Sequence, residues 1–219
     1  MTKKAEIGVL MTTGMSLEAW EKSGFLDREL EIYGKLSEEL DARIVFLSYG
    51  GRKEIEFLGG DSRFGVVPKA APALSDLTYS LVAGRMLGPV WSQLSLLKTN
   101  QMRGSWMALY AKRALKVPLI VRCGFEWLQD LELQQRNSKL YRWAAKKIEG
   151  HIYQRADAIM MPSPSSSDFV QDIFNLDESK IHIFMNSINC NRFRPDKNLM
   201  RIPNRIVFIG RLTRVKRLD

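Results

Sequence analysis

Short apolar runs alternate with segments of helical periodicity along most of this chain, and this alternation restricts the fold more than any other feature. The first two apolar runs span residues 6–11 and 43–48. Between them, leucine and tyrosine side chains recur every three or four residues from Leu26 to Leu40. Such runs are typical of strands buried on both faces, and such a stripe is typical of an amphipathic helix. Strand, helix and strand in succession predict a βαβ unit, whose crossover is right-handed in about 98% of cases.

The same alternation continues downstream. We predict further strands and helices that together describe an α/β domain, Rossmann-like and doubly wound, with a mostly parallel sheet and helices on both faces. The predicted strands are 54–58, 64–67, 94–99, 118–121, 158–161 and 181–185, and the predicted helices are 76–86 after Ser75, a helix after Ser105, 138–154, and 165–174 with Ser165 as its cap.

A change of composition marks the end of this domain. Residues 196–204 follow Pro195, contain Pro203 and charged side chains, and are predicted to form a linker after a domain that spans residues 1–195. An apolar run at 205–210 then starts a strand of a second domain. Since a βαβ unit needs about thirty residues or more, the segment 205–219 is predicted to be only the truncated start of that domain.

Composition and net charge bear on the ligands and the cellular location of the protein. The 219 residues include 33 Lys and Arg against 24 Asp and Glu, which gives a net charge of +9 and an attraction to phosphates. Cys123 and Cys190 are the two cysteines, too few for a disulfide framework. With neither a membrane span nor a signal-peptide pattern expected, we predict a cytoplasmic protein, with the inner face of the membrane as an alternative location. The two histidines, His151 and His182, stand far apart and do not suggest a metal site.

The carboxy end carries a candidate phosphate site. Gly210 follows the apolar run, and Arg211 and Lys216 follow the glycine. Amides at a helix start, a bidentate arginine and a lysine charge are the groups that proteins use to hold phosphate. The alternative is a basic terminus exposed to solvent.

A long loop after the first strand is the second candidate. Ligands of open α/β sheets bind at the carboxyl ends of the strands, and the segment 14–29 leaves that edge. Gly14 would let the backbone approach a ligand closely. Trp20 is either a lid or sugar platform, or an aromatic side chain packed in the core.

Three motifs in register resemble glycosyltransferase family 4, whose architecture is called GT-B. They are Gly-Arg-Leu-x-x-x-Lys at 210–216, Asn-Ser-Ile-Asn-x-x-Arg-Phe-x-Pro at 186–195, and Ala-Asp-Ala-Ile at 156–159 before a serine-rich turn. The loop at 20–29 also resembles the acceptor-side loop of some bacterial and archaeal members. The resemblance extends over nearly the whole chain.

This resemblance implies two Rossmann-like domains that face each other across a cleft. By analogy, Arg211 and Lys216 would hold the diphosphate of a UDP- or GDP-linked sugar, while Gly14 and Met15 would cap the phosphates from the opposite wall. The transfer would retain the anomeric configuration and need neither metal nor cofactor. The acceptor would be a glycan or a lipid-linked molecule, in polysaccharide or cell-surface glycan synthesis. The catalytic residues stay unknown, because the family's paired glutamates would fall beyond residue 219.

Two departures from the family pattern concern the cleft. Asn186 and Asn189 stand in a motif that usually reads Asn-Gly-Val-Asp, so a glycine and an acid are missing. Many members carry a histidine where this chain has Arg122 and its neighbours. Arg122 or Glu126 could serve the acceptor instead, or form a structural salt bridge.

Other functions were weighed against this one. The first loop lacks Gly-x-Gly-x-x-Gly, and no P-loop motif occurs, which argues against dinucleotide oxidoreductases and P-loop NTPases. The basic helix at 138–154 could bind nucleic acid, an anionic membrane surface, or only water. We favour lipid over nucleic acid, which we do not expect as a partner. A further alternative is an inactive fragment or a subunit that needs a separate C-terminal domain.

Overall fold

A single parallel sheet organises the chain. The computed structural model describes residues 4–124, 127–128, 131, 138–186, 188–196, 198–200 and 202–210. Its seven strands all run parallel, in the order β3-β2-β1-β4-β5-β6-β7. The strands are β1 (Ala5–Leu10), β2 (Ala42–Leu47), β3 (Phe64–Val67), β4 (Leu96–Thr99), β5 (Leu119–Arg122), β6 (Ala158–Met161) and β7 (Ile181–Ile183). The predicted doubly wound α/β fold is confirmed, with a sheet that is parallel throughout.

Helices connect these strands on both faces of the sheet. They are α1 (Leu17–Lys22), α2 (Leu26–Glu39), α3 (Asp76–Met86), α4 (Gly88–Trp91), α5 (Trp106–Leu115), α6 (Lys139–Arg155) and α7 (Pro164–Phe174). Two 3-10 turns, Arg52–Leu58 and Glu178–Lys180, complete the described connections. None of the helices in the described part of the chain combines the length and the apolar character that crossing a membrane requires.

The two faces of the sheet bury different cores. Helices α3 to α7 pack on one face, where Leu97, Leu119 and Val121 are fully buried. Helices α1 and α2 pack on the other face over β1 and β2, where Val9 and Phe46 are fully buried. Because side chains alternate along a strand, each central strand contributes to both cores.

Serine caps fix several helix starts. Ser75 caps α3, as predicted, and Ser138 caps α6, although it was predicted to be the first residue of that helix; each hydroxyl accepts from the amide three residues later. Ser105 precedes α5, but its hydroxyl donates to the Gln101 carbonyl instead of capping the helix. The cap of helix α7 lies two residues before the predicted cap, Ser165. Ser163 is its cap, because Pro164 lacks an N–H and has a backbone angle preset for the first helical position.

Two predicted strands are not present. Residues 54–58 belong to a 3-10 turn in which Glu54 is buried and its carboxylate accepts from the Glu18 amide at 3.2 Å. That tertiary contact anchors the turn to the start of α1. Residues 205–210 pair with no strand in the described part of the chain, and Ile206 and Ile209 are almost fully exposed. Strand β7 also ends earlier than predicted.

Close packing of α3 on α5 yields a test of the fold. A Cβ on Gly84 would lie 2.9 Å from Tyr110 Cβ and 3.2 Å from the Met107 carbonyl oxygen, whereas a Cβ on Gly88 would meet nothing within 4 Å. We expect Gly84→Ala to lower the free energy of unfolding by about 1–3 kcal/mol, because the helices must separate. Gly88→Ala is the control and should change it by less than about 0.5 kcal/mol. Urea denaturation measures both; equal effects would show that the helices tolerate a methyl group there.

Candidate functional site

The order of the strands reverses between β1 and β4, and a crevice opens at the carboxyl edge of the sheet at such a point. The loops after these two strands are joined there by backbone hydrogen bonds. The Asn100 amide donates to the Leu10 carbonyl at 2.8 Å, and the Thr13 amide donates to the Arg103 carbonyl at 3.1 Å. The two loops therefore form one continuous wall.

Gly14 occupies a tight turn in this wall. The Met15 amide donates to the Thr12 carbonyl at 2.8 Å, and Gly14, the third residue of the turn, has φ of +80°. This angle is typical of a type II turn and favours glycine. The Met15 carbonyl in turn accepts from the Tyr49 amide at 3.1 Å, which fixes the turn against the end of β2.

The loop after β3 closes the crevice on one side. Lys69 is nearly buried and donates to Asp76 Oδ1 at 2.7 Å and to the Leu74 carbonyl at 2.5 Å. A Cβ on Gly14 would lie 3.1 Å from Asp76 Oδ2, so the start of α3 lies against the turn. Burial raises the pKa of Tyr49, which lines the same region, so its phenol is neutral at physiological pH.

Arg122 ties three segments together on the other side of the crevice. Its guanidinium donates to the Asn100 carbonyl at 3.2 Å and to Asn186 Oδ1 at 2.9 Å. Its backbone amide donates to Thr99 Oγ1 at 3.0 Å. The structure thus brings Arg122 and Asn186, two residues predicted for separate reasons, into direct contact. The other candidates Glu126, Arg211 and Lys216 lie outside the described residues.

Asn189 shows how the chain accommodates an amide where the family pattern has an acid. Its Oδ1 accepts from the Asn191 and Arg192 amides at 2.9 and 3.1 Å, as a carboxylate would. Its Nδ2 donates to both carboxylate oxygens of Glu31 on α2, at 2.9 and 3.0 Å. This amide, followed by Lys35, lowers the pKa of Glu31. An aspartate could form the turn but would repel Glu31.

Trp20 belongs to the core and does not face the crevice. It is 3% exposed and packs edge-on against Phe46 at 5.8 Å between ring centroids. Ser16 caps α1 by accepting from the Ala19 amide, and the helix then directs Leu17 and Trp20 to its buried side. Of the two alternatives for Trp20, the structure therefore supports the packed aromatic side chain and corrects its assignment to the cleft as a lid or sugar platform.

Sequence analysis did not identify Lys98 or Tyr33 as candidate site residues. The Lys98 amine, on β4, donates to the Tyr33 hydroxyl of α2 at 2.9 Å. Burial, followed by the nearby charge of Arg122, lowers the pKa of Lys98 to about 7. Burial likewise raises the pKa of Tyr33. The sequence feature that could have identified this pair is a lysine that directly follows two leucines in a buried parallel strand.

The described residues contain no group of three or more His, Cys, Asp or Glu side chains placed to hold a metal ion. Cys123 is buried and Cys190 is exposed. The described part of the crevice contains one carboxylate, Asp76, which is paired with Lys69. The other polar groups there are amides, hydroxyls and cations, which suit an anionic ligand.

Sequence comparison decides the family. The sequence model of glycosyltransferase family 4 matches residues 35–192, well over half of the chain. The chain belongs to glycosyltransferase family 4. No match was found among curated protein sequences.

Solved structures with the same fold include several glycosyltransferases. Sucrose-phosphate synthase from Thermosynechococcus elongatus has a TM-score of 0.65 and 10% identity over 88% of this chain and 51% of its own. HepE from Anabaena, solved in complex with UDP, has a TM-score of 0.56 and 12% identity over 88% and 47%. A glycosyltransferase from Rickettsia africae has a TM-score of 0.53 and 14% identity over 90% and 47%. This chain therefore spans about half the length of these proteins.

The lowered pKa of Lys98 predicts a dependence of stability on pH. Between pH 7 and pH 10.5 the unfolded chain binds more protons than the folded one, so stability rises with pH in that window. Replacing the amine in Lys98→Met should therefore raise the free energy of unfolding by about 1–3 kcal/mol near pH 6. The gain should disappear as the pH approaches 10.5.

Denaturant unfolding across this pH range is the measurement. Lys35→Met is the control, because Lys35 is an exposed lysine of α2 paired with Glu31. It should show no comparable gain. A loss of stability in Lys98→Met that does not vary with pH would contradict the assignment.

Proposed function

We propose that this chain forms the acceptor-side half of a retaining, metal-independent glycosyltransferase that uses a nucleotide sugar. The supporting observation is the crevice at the strand-order reversal, where the Gly14 turn, Arg122 and Asn186 line the carboxyl edge of the sheet. Such a crevice is where α/β sheets bind their ligands, and the chain is a member of a glycosyltransferase family.

The donor in this proposal is a UDP- or GDP-linked sugar. HepE was solved with UDP and with UDP-glucose, which supports a uridine nucleotide for a chain of the same fold. Gly14 and Met15 would cap the diphosphate. The Met15 amide is already used in the turn, whereas no described residue accepts from the Gly14 amide. The capping hydrogen bond would therefore come from Gly14.

Charge neutralisation is the proposed source of catalysis. Arg211 and Lys216 would hold the diphosphate as the bond between sugar and phosphate breaks, because fixed cations stabilise the negative charge that develops there. Neither a metal nor a cofactor is needed for this step. Arg122 and Asn186 would bind the acceptor, a glycan or a lipid-linked molecule, in polysaccharide or cell-surface glycan synthesis.

Transfer in this scheme requires a second domain. Structures of the same fold are about twice as long as this chain, and in our proposal the donor is held mainly by the other half. The chain alone would bind nucleotide weakly and would not turn it over.

We place the protein in the cytoplasm, at the inner face of the membrane.

Helix α6 is the proposed membrane contact. Leu140 and Trp143 are 74% and 61% exposed, and Lys146 and Lys147 lie beside a shallow surface pocket that Trp143 also lines. Exposed apolar side chains next to lysines are suited to the headgroup region of an anionic bilayer. The same surface offers less to nucleic acid, since Leu140 would stay exposed to water.

Nucleotide titration tests the crevice. We expect UDP to shift the amide resonances of Gly14 and its neighbours, and Gly14→Ala to weaken binding about ten-fold, because the capping turn distorts. Gly59→Ala is the matched control. Gly59 also has positive φ but precedes β3, at the opposite edge of the sheet, so the variant should lose about 1–2 kcal/mol of stability without losing affinity.

The cations are tested in the same titration. The double variant Arg211→Ala and Lys216→Ala should reduce UDP affinity about ten-fold or more, since it removes charge-assisted contacts. Affinity unchanged in both this double variant and Gly14→Ala would refute the proposed donor site.

Vesicle cosedimentation tests the membrane contact. Phosphatidylserine-rich vesicles should pull down the chain at low salt, and the double variant Leu140→Ala and Trp143→Ala should weaken binding about ten-fold or more. Leu77→Ala with Leu81→Ala is the control, because these leucines are similarly exposed on α3. Equal losses in both double variants, or binding to neutral vesicles alone, would contradict the assignment to α6.

A further inference from the structure

A cavity lies on one face of the sheet and reaches the crevice at Arg122 and Asn186, which line both. It has a volume of about 550 Å³ and lies between α2 and the strands β1, β4, β5 and β6. Binding sites for small molecules typically measure about 300–1,000 Å³. Its walls are mainly apolar and include Leu36, Leu40, Leu96, Ile120, Met160 and Phe184.

The cavity exists because one face of the central strands is only partly covered. On the face of α3 to α7, Leu97, Leu119 and Ile159 are fully buried. On the opposite face, their neighbours Leu96, Ile120 and Met160 remain partly exposed. Parallel sheets usually have both faces covered, so this gap beside α2 is an exposed apolar surface of the kind that marks binding sites.

The end of the cavity nearest the carboxyl edge is cationic. Lys98 and Arg122 both line it, and the charge of Arg122 helps to lower the pKa of Lys98. Lys98 donates to the neutral phenol of Tyr33, and Arg122 donates to a backbone carbonyl and an amide oxygen. Within the described ranges, neither cation forms an ion pair with a carboxylate.

No described acidic residue of the lining forms an ion pair with these cations, although the charge of Glu29 raises the pKa of Lys98 against the larger effects of burial and Arg122. Glu29 lines the cavity but is paired with Arg28 at 2.6 Å. Glu39 lies at the far end of α2, one residue before the helix terminates at Leu40. The result is an apolar cavity with two cations at one end, along about 18 Å of helix from Arg28 to Leu40.

We propose that this cavity binds a single-chain amphiphile with a phosphate monoester headgroup, that is, an alkyl phosphate. The alkyl chain lies along the apolar wall of α2 and the sheet. The headgroup lies between Lys98 and Arg122, where its two negative charges match two cations and the guanidinium can contact two oxygens. This inference rests in part on the proposed function, because Arg122 and Asn186, the proposed acceptor contacts, also line the cavity.

Calorimetry on the 219-residue chain tests the proposal with ligands below their micelle concentrations. Octyl phosphate is the probe, and octanoate, octyl glucoside and inorganic phosphate are the comparisons. We expect octyl phosphate to bind at least ten-fold more tightly than each of the others, because only it supplies both the chain and two charges. Equal affinity for octyl glucoside would overturn the proposal and would indicate an apolar surface for another occupant, such as a helix.

Variants locate the binding. Lys98→Met should reduce octyl phosphate affinity at least ten-fold while leaving octyl glucoside unchanged. Ile120→Phe fills the cavity and should reduce affinity for octyl phosphate in a chain whose circular dichroism is unaltered. Lys147→Met, on α6 and outside the cavity, is the matched control and should bind normally. If Lys147→Met weakens binding as much as Lys98→Met, or if folded Ile120→Phe binds as tightly as the unaltered chain, the proposed site is wrong. UDP titration of the same variants separates this outcome from failure of the donor site.

Discussion

The junction of the loops after β1 and β4 determines the geometry on which the rest of the site depends. Two backbone hydrogen bonds hold these loops together where the strand order reverses. Asn100 forms one of them and also accepts a hydrogen bond from a side chain. Its amide donates to the end of β1, and its carbonyl accepts from Arg122 at the end of β5. Asn100 thus connects the end of β1 with the Arg122 and Asn186 pair, and the bond from Thr13 to Arg103 holds the loop that contains the Gly14 turn. A rigid sheet therefore positions groups from three loops. Such support is what ligand sites on α/β sheets require.

Local sequence patterns predicted the elements whose stabilisation is local. The run at 158–161 and the helix at 76–86 with its Ser75 cap follow from apolar spacing and a capping hydroxyl. The segment 54–58 alternates like a strand, yet Glu54 folds under α1 and accepts from an amide 36 positions away. That contact is tertiary, so no local pattern could reveal it. At α7, proline geometry outweighed the serine and acid spacing that favoured a later start.

The sequence likewise predicted some residues of the candidate site but not their contacts. Arg122 and Asn186 were identified from motif positions, but only the fold shows that they contact each other across 64 positions. Trp20 was ambiguous because the segment 14–29 was predicted to be a loop, whereas the short helix α1 directs this side chain to the core. Lys98 was missed since its partner Tyr33 lies 65 positions away, and a lysine in a strand normally indicates an exposed edge. Asn189 replaces an acid without loss of the turn because its amide supplies both an acceptor and a donor.

The two faces of the sheet differ in a way that links stability to ligand binding. The face under α3 to α7 is complete, whereas the face beside α2 leaves apolar side chains and a desolvated amine next to a cavity. Closer packing there would bury Lys98 further and disfavour its charge, while a more polar surface would weaken the core that α2 shares with β1 and β2. An anionic group at Lys98 and Arg122 resolves this conflict, because it stabilises the charged amine while an attached apolar chain covers the exposed side chains. The folded chain is therefore more stable with the cavity filled than with it empty. A ligand that binds only the folded state raises the free energy of unfolding in this way.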